Sequence, residues 1–366
     1  MKVEQFFETM VSNTLAGSSN QAVFLPEKED EVYVGRVLYK VFSGGEYPYS
    51  FLFSGATDSS FPIENITPAD YPVTGWEIVY ARIGKCKNCD MQYVPEIADF
   101  TPLTFDGKKS FKVEKPELFC SDAVRFSAEK GEYICLEIAY KGKEIPHHFE
   151  NSIPAFLKVG DEWVADNRAV FANMVGCDRK VEKKVAYLGD SVTQGLGAGN
   201  NEYKHWSALV SEMLGEQYAY WNLGIGFGMA NDCAKDKIWL EKARKNDTVV
   251  VCFGINDMCR VKDAQRTKQD IITIIRELKK CGIRVILQTL PPFNFQAKSL
   301  ETWKELNRFI KTEMDGVADR IFDMSPVLTQ DLPEGYTKFE GHPNQEGSRL
   351  WAESFYSVLK EEIEKT

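Results

Sequence analysis

The sequence predicts two folds in tandem: an all-β sandwich or jelly-roll unit over residues 1–182, and an α/β unit built on a three-layer parallel sheet over residues 183–366. Three observations carry the prediction. Short aromatic and β-branched runs, separated by Gly, Pro, Asp and Ser, fill the stretch from about residue 31 to 140. From residue 184 onward, apolar strands alternate with amphipathic helical patterns, as a parallel sheet covered on both faces requires. Between the two lies a loop-rich stretch, 142–182, with Pro146, Pro154, Gly160, Gly176 and a charged run from Asp178 to Lys184.

Taken in order, residues 1 to about 30 hold no sustained periodicity and predict an arm or short helix, followed by the acidic loop Glu27–Glu31. Strands are expected at Val32–Val34, Val37–Phe42, Tyr49–Phe53, Trp76–Ile83, Ser110–Val113, Ala123–Phe126 and Tyr133–Tyr140. In the second unit strands are expected at 184–189, 218–225, 247–254 and 283–290, with a fifth at 320–324. Helices are expected at 202–215, 230–245, 263–281, 299–315 and 344–364.

Composition narrows the function. A hydrophobic share of 43% with 27% charged residues is a globular balance. The 54 acidic against 44 basic residues give a net charge of −10, which opposes binding to nucleic-acid phosphates or anionic lipid. The first ten residues carry two acids and no continuous apolar core, a poor secretory signal, and no run reaches transmembrane length. A cytoplasmic location is therefore expected. Nine scattered cysteines, an odd number, fit a reduced compartment better than a disulfide framework. Cys86-Lys87-Asn88-Cys89 has the spacing of half a zinc site, but without a second such pair a plain turn is the expected reading.

The chemistry-bearing residues fall where strands of the second unit end. Ser191 follows the run Val185–Leu188 in Gly189-Asp190-Ser191, at the carboxyl end of a strand, where open α/β sheets form their ligand crevices. The next strand ends in the glycine-dense Asn222-Leu223-Gly224-Ile225-Gly226-Phe227-Gly228. That loop lacks the Lys-Ser/Thr of a phosphate-binding P-loop and the acid that a dinucleotide fingerprint places about 20 residues on, so nucleotide binding is disfavoured. The third strand ends in Phe253-Gly254-Ile255-Asn256-Asp257, placing an amide and a carboxylate in the next loop. Of four histidines, His147 and His148 lie in the β unit and His205 in a helical pattern. Only His342, in Phe339-Glu340-Gly341-His342-Pro343-Asn344, occupies a loop at the sheet's carboxyl edge. A general base must come within ~3 Å of a serine hydroxyl, so this placement matters more than residue type.

These four blocks, in this order, resemble the SGNH (GDSL-type) hydrolase family over residues 184–364. The resemblance implies a flavodoxin-like three-layer sheet, with Ser191 as nucleophile and His342 as base. Oxyanion-hole donors would come from Ser191, from the glycine block at Gly226 and Phe227, and from Asn256. Thr104–Gly107, Ser121–Val124 and the strand to Tyr140 look like the β-sandwich that precedes the hydrolase domain in some two-domain carbohydrate and lipid esterases of this family.

Two positions depart from the family pattern. Phe227 stands where the family usually has Gly, five residues after the Asn of the second block. Phe339 stands where the usual acid lies, three residues before the histidine, so Glu340 is the nearest carboxylate. Either Glu340 orients His342, or a main-chain carbonyl does so in a Ser-His dyad. Asp190 and Asp257 are read as structural, because adjacent residues on a turning strand point apart.

The expected activity is a serine esterase that removes short acyl groups, acetate first, from carbohydrate esters such as acetylated xylan or xylo-oligosaccharides. It requires neither metal nor organic cofactor, and its partner is a small acylated saccharide rather than nucleic acid or membrane, with homo-oligomerisation left open. Trp206, Trp303, Phe293 and Phe295 are candidates to stack on sugar rings, or else core residues. The rivals are a lipid-acting lysophospholipase or thioesterase of the same family, and a non-catalytic carbohydrate-binding or scaffold protein. Glu340→Gln separates the two orienting schemes: a fall in kcat at neutral pH is expected if Glu340 holds His342, and an unchanged kcat removes Glu340 from the mechanism.

Overall fold

The computed structural model describes residues 1–17, 21–60, 68–148, 152–235, 237–295, 298–328, 335–338 and 341–365. The chain divides into two compact units, Met1–Lys180 and Val181–Thr366.

The N-terminal unit is built of antiparallel strands. One sheet runs Val11–Ser12, Met174–Cys177, Gly45–Ser54, with Leu118–Cys120 and Val124–Ala128 both pairing to the last. A second runs Glu162–Ala165, Ala155–Val159, Tyr33–Lys40, Tyr133–Gly142, Trp76–Cys86, with Thr101–Leu103 and Phe111–Val113 both on Trp76–Cys86, and a separate two-stranded ribbon pairs Gln21–Phe24 with Ile145–His148. The sheets meet through aromatic rings: Phe111 stacks on Phe119 at 4.6 Å and Trp76 lies 6.1 Å from the same ring. Such rings bury much apolar area while keeping fixed geometry. Glu137 is a buried carboxylate in this unit. Arg36 (2.9 Å), Arg82 (2.6 Å) and the Tyr80 hydroxyl (3.1 Å) all donate to it, which is what an ion removed from water needs.

The loop-rich reading of 142–182 does not hold. That stretch carries the strands Ile145–His148, Ala155–Val159, Glu162–Ala165 and Met174–Cys177. They are four or five residues long, and Pro146 sits inside one, so neither length nor alternation signalled them.

In the C-terminal unit one sheet holds Lys183–Gly189, Tyr218–Gly224, Thr248–Cys252, Arg284–Gln288 and Arg320–Phe322, all parallel. Their spatial order is second, first, third, fourth, fifth. Every residue of the second and third strands is buried, as expected for a sheet covered on both faces. The connection from first to second strand runs opposite in direction to the later ones. Right-handed crossovers therefore put the helix Trp206–Leu214 on one face, and Ala264–Lys280 and Lys298–Glu313 on the other. The last helix, Gln345–Glu364, packs beside Trp206–Leu214.

The helices depart from expectation in four places. The helix expected from 202 starts at Trp206, because Asn201 and Tyr203 have left-handed backbone with φ of 59° and 54°. The helix expected at 230–245 is two pieces, Ala230–Cys233 and Ile238–Ala243. Two short helices, Ser191–Gln194 and Ile255–Arg260, were not expected; four to six residues are too few to show a helical period. Among the described residues no helix is long and apolar enough to cross a membrane.

Trp206 anchors the layer behind the first strand. Its ring stacks on Trp351 at 4.9 Å, meets Tyr187 edge-on at 5.3 Å, and its N–H donates to the Val192 carbonyl at 3.1 Å. Trp206→Ala is expected to destabilise the C-terminal unit by about 3–5 kcal/mol, and Trp206→Phe by less, in urea unfolding. A loss under about 1 kcal/mol for the alanine variant would show that the stack contributes little.

Candidate active site

The strand order reverses between the first and third strands, and Ser191 lies just past the carboxyl end of the first. Asp190 caps the four-residue helix that Ser191 begins: its Oδ1 accepts the Val192 N–H at 3.0 Å. Behind this helix runs Gly224. A Cβ there would sit 2.2 Å from the Gln194 nitrogen, so only glycine lets the second strand approach the serine turn this closely. Asn222 ties the same two segments together. Its Nδ2 donates to the Thr193 carbonyl (2.9 Å) and to Ser207 Oγ (3.2 Å), while its Oδ1 accepts the Gly224 N–H (2.8 Å).

The Ser191 Oγ lies 2.8 Å from Nε2 of His342, within reach for proton transfer. His342 opens the two-residue strand His342–Pro343, which pairs with Thr337–Lys338. Asn344 then caps the last helix through Gly347 N–H at 2.9 Å. Phe293, from the loop after the fourth strand, meets the imidazole edge-on with centroids 5.1 Å apart, and Phe295 stacks on Phe293 at 5.7 Å. Gly341 makes that contact possible: its φ is +140°, and a Cβ there would fall 2.5 Å from the Phe293 ring. Glu340, the expected orienting carboxylate, and Phe339 lie outside the described residues.

The glycine-dense loop forms a tight turn, closed by the Gly228 N–H donating to the Ile225 carbonyl at 3.0 Å. Phe227, its third residue, has φ of +60°. A bulky residue in left-handed backbone costs on the order of 1–2 kcal/mol, and this turn position favours glycine. The sequence departure at Phe227 thus falls at the one residue of the turn with positive φ. Asn256 reaches this loop: its Nδ2 donates to the Gly228 carbonyl at 3.0 Å. An amide nitrogen carries two N–H groups, so this bond fixes its plane and leaves one donor over. Gly226 and Phe227 lie inside the same turn.

The structure therefore brings Ser191 and His342 into direct contact, and Asn256 onto the loop of Gly226 and Phe227. It places Trp206 and Trp303 in the core, where the Trp303 N–H donates to the Leu290 and Pro291 carbonyls at 3.2 and 3.0 Å. Phe293 and Phe295 remain half-buried beside His342. Sequence reasoning missed the Asn222 bonds and the Arg260 guanidinium, which donates to the Phe227 carbonyl at 3.2 Å. No local pattern announces a contact between residues 33 apart. Among the described residues no three His, Cys, Asp or Glu side chains are placed to hold a metal.

Two buried carboxylates flank the site. Asp257 accepts the Ala230 N–H at 3.0 Å and the Asn231 N–H at 3.2 Å, capping the helix after the glycine loop. Burial, opposed by these bonds and reinforced by Asp232 and Asp270, pushes its carboxyl up to about 6. Burial, with the Asp257 charge adding to it, pushes Asp190 up to about 7. An ordinary aspartate titrates at 3.8, so between that pH and about 7 the folded chain holds a proton that the unfolded chain has released. Stability contributed by Asp190 is therefore greatest at low pH and falls as pH rises through this window. Asp190→Asn keeps an oxygen for the cap and lacks the titration. The Tm of D190N minus that of the native chain should become more positive between pH 4 and 7, and a flat or shrinking difference would refute the buried-acid account.

Residues 187–350 match the GDSL-like Lipase/Acylhydrolase family. None of the curated proteins matches the chain. Among solved structures, it is similar to a lipolytic protein of the G-D-S-L family from Desulfitobacterium hafniense DCB-2, at 24% identity over 48% of this chain and 98% of that one, with a TM-score of 0.41. A member of the same lipolytic family from Veillonella parvula DSM 2008 is similar at 18% identity over 48% and 98%, with a TM-score of 0.43. A catalytic mutant of an acetylxylan esterase from Geobacillus stearothermophilus is similar at 21% identity over 50% and 95%, with a TM-score of 0.41. With the family match falling on the very segment that holds the Ser191–His342 contact, the C-terminal half of this chain carries a GDSL-like lipase/acylhydrolase domain.

Proposed function

We propose that the chain is a serine ester hydrolase acting on acylated saccharides, with Ser191 as nucleophile and His342 as general base. The observation that carries this reading is the 2.8 Å contact between Ser191 Oγ and His342 Nε2 at the carboxyl edge of the sheet. The hydroxyl attacks the acyl carbon while its proton passes to Nε2. The resulting oxyanion is met by main-chain N–H groups of Ser191 and of the Gly226–Phe227 turn and by the spare N–H of Asn256, each worth about 3 kcal/mol of barrier. The imidazolium then protonates the departing alkoxide. Water, deprotonated by His342, attacks the acyl-serine and releases the acid, and the proton returns to Ser191 Oγ.

The saccharide part of the proposal rests on which side the alcohol occupies. Because His342 must reach the leaving oxygen, the alcohol lies on the His342 side, where the half-buried rings of Phe293 and Phe295 lie near-parallel, 24° apart. Such rings suit the C–H face of a pyranose. The acyl group is proposed to be short, acetyl first, with Phe227 as the wall that limits it. The N-terminal unit is proposed to be a jelly-roll-like accessory domain, since consecutive strands such as Tyr33–Lys40, Gly45–Ser54 and Trp76–Cys86 alternate between its two larger sheets.

Ser191→Ala is expected to lower kcat/KM for p-nitrophenyl acetate by about a thousandfold or more. Activity at the native rate would reject Ser191 as nucleophile. Product release from acetylated oligosaccharides, acyl glycerols and acyl thioesters should favour the first class, and Phe293→Ala should raise KM for acetylated oligosaccharides more than for p-nitrophenyl acetate. Preference for octanoyl over acetyl esters would replace the saccharide reading with a lipid one.

A further inference from the structure

The turn Ile225–Gly228 is restrained from both directions. On its entry side the Ile225 N–H donates to the Gly189 carbonyl at 3.0 Å, which locks it to the end of the first strand. On its exit side, one short helix, Ile255–Arg260, reaches successive backbone groups. Arg260 Nη1 donates to the Phe227 carbonyl (3.2 Å), Asn256 Nδ2 to the Gly228 carbonyl (3.0 Å), and the Asp257 carboxylate accepts the N–H groups of Ala230 and Asn231. Asn256 and Arg260 are four residues apart and so share a helix face.

Phe227 sits at the centre of this grip in a conformation that an L side chain resists, with φ of +60°. The sign of φ at a residue decides where its own N–H points. A relaxed Phe227 would turn its N–H to a different side of the turn, and a glycine would hold the left-handed form without help. From these observations we propose that Arg260 is a positioning residue. By holding the Phe227 carbonyl it keeps Phe227 left-handed, and so aims the main-chain N–H groups of the turn at the oxyanion. This deepens the serine-hydrolase reading and rests on it for its kinetic consequence, but its structural consequence stands alone. Arg260 compensates for a side chain at a position where the turn calls for glycine.

The test is a double-mutant cycle with Arg260→Met and Phe227→Gly, read by kcat and KM on p-nitrophenyl acetate, together with a crystal structure of R260M. In the native background R260M should lower kcat by about tenfold or more, with KM within about twofold and Tm little changed, as loss of an oxyanion donor's alignment predicts. R260K, which keeps a donor, should restore part of the loss. In the F227G background, where glycine holds the turn unaided, R260M should cost less than about threefold in kcat. The structure of R260M should show Phe227 outside the left-handed region. An equal loss in both backgrounds would place the effect of Arg260 elsewhere, for instance on the substrate, and would overturn the proposal. A left-handed Phe227 in R260M would overturn it whatever the kinetics. Failure of the serine-hydrolase reading itself appears separately, as full activity in S191A.

Discussion

The hydrogen bond between Ser191 Oγ and His342 Nε2 joins two residues 151 positions apart, and much of the C-terminal unit serves to hold its two ends. The serine end is fixed by the sheet. The first strand lies between the second and the third, its carboxyl end packs against Gly224, and Asp190 and Asn222 bond the helix that follows. The histidine end is fixed by a two-residue strand, the cap of the last helix and the edge of Phe293. A hydroxyl and an imidazole exchange a proton only within about 3 Å, so a small shift of either support would break the pair.

Around this bond the backbone is pinned by side chains. Asn222, Asn256, Asp257 and Arg260 together bond backbone groups from Thr193 to Asn231, and each comes from a segment next to a strand end. Loops that connect strands to helices would otherwise be the most variable parts of an α/β unit. The buried carboxylates of Asp190 and Asp257 show the cost of this arrangement, since both are pushed up by loss of water even though backbone N–H groups bind them. Stability is given up at these positions in exchange for fixed geometry, as at many functional sites.

The parallel sheet was legible because buried strands are continuous apolar runs and the helices between them are long enough to show a 3.6-residue period. The five strands and the long helices at 264–280, 298–313 and 345–364 lie close to their expected positions. Four-residue strands and helices carry no such period, which is why the strands between 145 and 177 and the helices after Asp190 and Gly254 were invisible. Trp206 and Trp303 could not be sorted from Phe293 and Phe295 by residue type. What separates them is burial, decided by partners far away in sequence, such as Trp351 for Trp206.

The sequence by itself determined the chemistry on offer: a serine and an amide at strand ends and a histidine in the loop before the last helix, in an order that resembles one hydrolase family. Those choices are local, since residue type and strand-end position are both written in short stretches. Only the tertiary structure decided that Nε2 of His342 meets Ser191, that Phe227 takes the left-handed place in its turn, and that Arg260 holds it there. Each of these depends on the register and order of strands, which bring residues 33 to 151 positions apart within hydrogen-bond distance, and no local propensity encodes such a distance.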